Sequence, residues 1–192
     1  MSDRTAAGPR LPRFRPLTLL AGLFALAGCT GLPSGLSAVR DFDVTRFAGT
    51  WYAIMRLDHS FERGMTNVRA TYGLRDDGTV SVHNRGWNPR RCAWSSITGT
   101  ARFREGPDVA SFKVTLGSPI AGGLHIIALD KENYQWALAS GPTRGYLWIL
   151  SRSPNMPDEQ RKDLMRMARD FGFPVEDLVR VDQSEPPPCK SG

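Results

Sequence analysis

The chain has 192 residues, 41% of them hydrophobic and 23% charged, the length and composition of one globular domain; disorder, a collagen-like repeat and a multi-span membrane protein are excluded. Its formal net charge of +6 invites a nucleic-acid reading, but four of the 25 basic residues (Arg4, Arg10, Arg13, Arg15) and only one of the 19 acidic ones (Asp3) fall within residues 1–28. That leaves 21 basic against 18 acidic residues, with no block of like charges and no aromatic and basic interleaving, so no nucleic-acid partner is expected.

Arg-rich residues 1–16 lead into Leu17 to Ala27, an apolar run too short to span a bilayer as a mature helix, which is the plan of a secretory signal over residues 1–28. It ends in Leu26-Ala27-Gly28-Cys29, which resembles the lipobox of bacterial lipoproteins, where cleavage precedes the cysteine and lipid is attached to it. The resemblance implies that Cys29 anchors the mature protein, and Thr30, which is not Asp, implies sorting to the outer membrane. Several acyl chains on one terminus anchor stably, because each buried methylene contributes about 0.8 kcal/mol. Residues 29–40, rich in Gly, Ser and Pro, then form a lipidated, flexible tether.

Export places the other two cysteines in an oxidising compartment. Cys92 follows Pro89-Arg90-Arg91 and Cys189 lies in a proline-rich tail, residues 184–192, with nothing else to hold it; the two are expected to pair. A bridge around roughly 100 residues is worth up to about 4 to 5 kcal/mol on the chain-entropy model. A metal site lacks ligands, since His59, His83 and His125 show no CxxC or HExxH spacing, and a nucleophilic Cys92 needs a neighbouring base that sequence does not reveal. No metal and no cofactor is implied.

From Phe47 onward apolar residues alternate with period two and are cut every eight to twelve residues by turn residues, the signature of hairpins in a sandwich or barrel. The expected strands are Thr50–Leu57, Val68–Leu74, Val80 with Val82 after the Asp77-Gly78 turn, Trp94–Arg104, Ala110–Leu116, Leu124–Asp130, Tyr134–Ser140 and Tyr146–Ser151. Leu124–Asp130 is nearly continuous in apolar residues and is expected to be covered on both faces. Eight such strands avoid open edges by closing into an antiparallel up-and-down barrel. After Pro157 the period becomes helical through Leu164, Ala168 and Phe171, ending at Gly172, which predicts one helix outside the barrel; Leu178–Val181 adds a short ninth strand.

Gly49-Thr50-Trp51-Tyr52, Asp130 with Tyr134, and Arg152 after Tyr146-Leu147-Trp148-Ile149-Leu150-Ser151 resemble the three signatures of the lipocalins in order and spacing. Phe61-Glu62-Arg63-Gly64, Thr71 to Gly78, Ile126 to Asp130 and Gly141-Pro142 resemble one branch, the bacterial outer-membrane lipoproteins similar to apolipoprotein D. The resemblance covers about residues 41–183 and implies an all-β lipocalin barrel in which Gly49, Trp51 and Arg152 form a structural lock, the Arg lying across the indole.

What the resemblance implies of function is binding and carriage of a fatty acid or lysophospholipid in the cell envelope, by a protein held on the periplasmic face of the outer membrane. Expected cavity residues are Met55, Tyr72, Val82, Phe112, Val114 and Trp148, with Val68, Ala70, Ala53 and Leu150 beside them. The mouth is expected at the loop after Leu57 and at the turns 88–93, 118–122 and 76–79; Arg56, Arg90 and Arg91 are candidates for a phosphate or carboxylate headgroup. No catalytic constellation is readable, so a binding protein rather than an enzyme is expected. Two alternatives stand: a structural or partner-docking lipoprotein with a filled barrel, and a lipocalin-fold enzyme using Cys92 or His83. The sequence leaves open a homodimer through the rim.

Overall fold

Apolar and polar alternation from Gly49 onward becomes eight antiparallel strands: β1 (Gly49–Leu57), β2 (Thr66–Leu74), β3 (Val80–Asn88), β4 (Ala93–Phe103), β5 (Ser111–Leu116), β6 (Ala121–Leu129), β7 (Trp136–Ser140) and β8 (Leu147–Ser151). The computed structural model describes residues 30–117, 121–186 and 188–189, so the expected signal segment and Cys29 lie outside the described residues. Each strand pairs with the next, and β1 closes the barrel by pairing with β2 through Gly49–Tyr52 and with β8 through Tyr52–Arg56. At Met55–Leu57 the short β9 (Leu178–Arg180) replaces β2 as the partner of β1, so the ninth strand lies on the flank. Tyr134, expected at the start of a strand, is instead in the turn before β7 with φ of 55°, and its hydroxyl accepts a hydrogen bond from the Asp43 N–H at 3.0 Å.

Among the described residues two α-helices, and a 3-10 turn at Val175–Asp177, accompany the barrel. A single turn, α1 (Val44–Phe47), is capped by the Asp43 carboxylate, which accepts from the Thr45 and Arg46 N–H groups. The expected helix, α2 (Asp158–Asp170), buries Leu164 and Ala168 against the outer wall and stops at Gly172, where φ is +79°.

The alternation breaks at three places, in β1, in β2 between Thr66 and Arg69, and in β6, and the breaks in β1 and β6 set which side chains reach the interior. Ala53 pairs with Leu150 but Met55 with Ile149, so Ile54 is an extra residue in β1; Ile127 is likewise extra in β6. A bulge reverses the facing of every residue beyond it. Ile54 and Met55 therefore both join the outer cluster beneath α2, with Ile127, Leu138 and Ile149, while Arg56 turns inward beside Trp148. Met55, expected in the cavity, lies outside it for this reason.

Residues 30–39, expected as a flexible tether, lie along the outer wall instead. Leu32 and Leu36 pack on the outer cluster, the Val39 N–H bonds to the Ile126 carbonyl at 2.8 Å, and the Ala110 N–H bonds to the Val39 carbonyl at 2.9 Å. This strap and α2 cover the outer face of β6, which is why that strand is apolar on both sides. His125 points into the strap, with Nδ1 3.0 Å from the Ser111 hydroxyl and Nε2 2.9 Å from the Gly31 carbonyl. The C-terminal tail is fixed as expected: Cys92 and Cys189 form a disulfide with Cα atoms 5.8 Å apart.

Candidate binding site

Strand direction assigns the two ends of the barrel. The connections 75–79, 104–110 and 130–135 fall at the end where β1 begins, and 58–65, 89–92 and 141–146 at the other. The turn at 76–79, weighed as part of the mouth, is thus at the closed end, with Thr79 and Val80 buried.

The closed end is filled. Arg152 lies 4.0 Å from the centre of the Trp51 ring and donates to the carbonyls of Thr50, Tyr134 and Arg46. The Trp51 indole N–H donates to the Phe47 carbonyl at 2.8 Å, and the Phe47 ring stacks on it at 4.8 Å. Gly49 has φ of +99°, and a Cβ there would come within 3.1 Å of the guanidinium, so a side chain would both strain the backbone and crowd the stack. Phe112, expected to line the cavity, belongs to this floor, packed against Phe42 and Phe103 at 5.9 and 4.9 Å.

Above the floor is a cavity of about 330 Å³, within the range that holds a small ligand. Its walls include Tyr72, Val82, Val114 and Trp148, with Val68, Leu116, Leu124 and Leu150. Small residues at Ala53, Ala70, Gly122 and Ala139 leave the space open. A second space of about 450 Å³, lined by Met65, Gly86 and Ile97, shares Phe61, Glu62, Val68, Asn84 and Leu116 with it and extends towards the β3–β4 hairpin.

A polar cluster stands where loop 58–65 folds over the mouth. Arg56 is only 2% exposed; its guanidinium donates to the Leu57 and Glu62 carbonyls at 3.2 and 2.6 Å and to the Asp58 carboxylate at 3.0 Å. The Trp148 indole N–H donates to Glu62 Oε2 at 3.1 Å, and Arg56 Nε is 3.6 Å from the same oxygen. Burial raises the Glu62 pKa despite these partners. His59 is held between Phe61 and Trp148, with ring centres at 4.3 and 4.8 Å, and neither of its nitrogens has a partner. Burial and the nearby Arg56 charge lower its pKa to about 4. Burial, and then the Glu62 charge, raise that of Tyr72, and Asn84 Oδ1 faces the cavity unpaired.

The headgroup candidates are thereby redistributed. Arg56 is inside the barrel, where its two terminal guanidinium nitrogens bond to Leu57, Asp58 and Glu62 and its Nε has no hydrogen-bond partner, while Arg90 and Arg91 are exposed on the β3–β4 turn and line neither space. Glu62 and His59, named in the sequence only as part of the branch motif and as a rejected metal ligand, and Asn84 were not expected at the cavity; only the fold brings them together, since nothing in their local pattern marks a loop carboxylate that folds back into a barrel. His83 is exposed on the outer face of β3, and Cys92 is bonded to Cys189. Among the described residues no group of three His, Cys, Asp or Glu side chains is placed to hold a metal ion.

This architecture has close counterparts. The lipocalin-like domain family matches residues 42–183. The chain is 48% identical over 151 residues to the outer membrane lipoprotein Blc of Citrobacter freundii, covering 79% of this chain and 85% of that one. It is 44% identical over 174 residues to Blc of Escherichia coli strain K12, covering 89% and 98%. The crystal structure of the cockroach allergen Per a 4 superposes with a TM-score of 0.64 at 20% identity, over 80% of this chain and 96% of that one, which shows the shared fold. With a barrel stoppered by Arg152 on Trp51 and similarity running the length of the domain, the chain belongs to the lipocalin family, whose members bind small hydrophobic ligands.

Proposed function

We propose that the protein is a lipid-anchored outer-membrane carrier of a single-chain lipid, a fatty acid or lysophospholipid. The observation that carries the reading is the apolar cavity, closed by the Trp51 floor and open beside Trp148. Such walls reward an acyl chain by about 0.8 kcal/mol for each methylene taken from water and ask for no hydrogen bond along it. Glu62, Asn84 and the Trp148 ring stand near the mouth, where a headgroup would emerge. The lipobox at Cys29 and the similarity to Blc lipoproteins support the anchor and the outer-membrane location.

The test is a fluorescence titration of delipidated protein with oleate and with a lysophospholipid. The expected result is saturable one-to-one binding below about 10 μM, that is, about 7 kcal/mol or more. Ala70→Trp, which fills the cavity, is expected to weaken it in a protein of unchanged circular dichroism. A folded protein that saturates with neither lipid would overturn the reading in favour of a structural lipoprotein.

A further inference from the structure

Residues 30–36 stay against the barrel, and they do so at its open end. The Thr30 carbonyl lies over Gly123, where a Cβ would approach it to 2.8 Å. Gly123 is two residues into β6 from the mouth, about 7 Å along the strand. Beyond it, the Gly31 carbonyl is held by His125 and the Ser34 carbonyl by Arg144, which belongs to the mouth connection 141–146. Thr30, the residue that follows Cys29 in sequence, thus stands beside the mouth.

Three of the five exposed large apolar side chains among the described residues lie at that end: Phe61 (53%) on loop 58–65, and Ile97 (42%) and Trp94 (38%) on the projecting β3–β4 hairpin; Leu74 stands at the closed end of β2 and Val179 on the flanking β9. The mouth connections 58–65, 89–92 and 141–146 carry four basic residues (Arg63, Arg90, Arg91, Arg144) against two acidic ones (Asp58, Glu62). The closed-end connections 75–79, 104–110 and 130–135 carry three basic residues against six acidic ones. Aromatic side chains with arginines beside them suit the interface of an anionic bilayer, and acidic turns suit the side facing away from it.

We propose that the barrel sits mouth-down on the bilayer that holds its own anchor, with the apolar and cationic rim against anionic headgroups. The inference rests on the reading of Cys29 as a lipid anchor. The packed strap acts as a short spacer that fixes this orientation, so that a lipid leaving the bilayer enters the cavity without crossing water. The exposed rim then serves transfer, and the acidic end faces the aqueous side.

The experiment uses the lipidated full-length product in phosphatidylcholine vesicles containing phosphatidylglycerol and a brominated lipid that quenches nearby indoles. Quenching is expected, and Trp94→Phe at the rim removes a large part of it, whereas Trp136→Phe near the closed end does not; near-ultraviolet circular dichroism checks both folds. Arg90→Glu/Arg91→Glu is expected to lower rim quenching at least about fivefold on these vesicles and to change it little on pure phosphatidylcholine. No quenching, quenching that follows Trp136, or a mature N-terminus whose mass carries no lipid would each overturn the proposal. So would Trp94 becoming shielded from acrylamide with rising protein density while lipid quenching stays absent, which would assign the rim to a second copy. The oleate titration is read from the cavity, so loss of cargo binding and loss of orientation are separately visible.

Discussion

Gln183 joins two strands that have parted: its side-chain nitrogen donates to the Ala53 carbonyl of β1 at 2.7 Å and to the Val68 carbonyl of β2 at 3.1 Å. The seam opens because the bulge at Ile54 turns β1 away from β2 and towards β9. The tail fills the gap, with the Val181 N–H bonded to the Ile54 carbonyl and the Asn67 side chain bonded to the Ser184 carbonyl. Gln183→Leu leaves both carbonyls without this donor and is expected to cost about 1–3 kcal/mol. Urea unfolding reads it; a change near zero would show that water replaces the amide.

Arg56 and the two arginines of the β3–β4 turn carry the same charge in opposite settings. Arg56→Met removes the cation beside a buried carboxylate and three hydrogen bonds, two of them to loop 58–65, with an expected cost of about 3–5 kcal/mol. Arg90→Ala and Arg91→Ala are expected within about 0.5 kcal/mol of the parent. Equal midpoints for the three variants in denaturant would contradict the assignment of Arg56 to the interior.

His59 predicts a pH dependence of known sign. Its folded-state pKa of about 4 lies below the ordinary 6.5, so the folded state binds the proton less well than the unfolded one. The neutral ring is fully accommodated above pH 6.5, and stability falls as the pH drops from there towards 4. His59→Phe keeps the ring stacked between Phe61 and Trp148 and loses no hydrogen bond, because both nitrogens lack partners. The variant is expected to match or exceed the parent at pH 7.5 and to lose about 1–3 kcal/mol less on acidification to pH 4. Parallel stability curves for the two proteins from pH 7.5 to 4 would reject this.

The Cys92–Cys189 bridge closes a separation of 97 residues and ties the tail to the β3–β4 hairpin. Replacing both cysteines with serine is expected to lower stability by up to about 4 kcal/mol while leaving the barrel closed, since no barrel strand follows β8. Hydrogen exchange is expected to quicken in residues 181–186 and to stay slow in β6 and β7. Loss of protection throughout would show that the tail holds the barrel shut.

Much of the barrel was legible because alternation and turn chemistry are local. The Asp77-Gly78 turn, the switch from period two to helical spacing after Pro157, and the stop at Gly172 each act within a few residues. The lock at Gly49, Trp51 and Arg152 was legible by resemblance alone, since nothing local says that Arg152 crosses the barrel end to reach Trp51. The bulge at Ile54 was not legible: Ala53, Ile54 and Met55 are all apolar, so alternation does not reveal where an extra residue sits. One slipped residue was enough to exchange the expected places of Met55 and Arg56.

By itself the sequence determined eight hairpin-forming strands, one outer helix, and a pair of cysteines with reason to meet. Their residue types alone dictate these features, through apolar periodicity, turn preference and compartment. Only the tertiary structure decided that Phe112 fills the cavity floor, that Glu62 folds back to Trp148, and that residues 30–36 pack on the outer wall. Those arrangements depend on contacts between segments far apart in the chain, where packing around the bulges, and not local preference, selects which face each side chain presents.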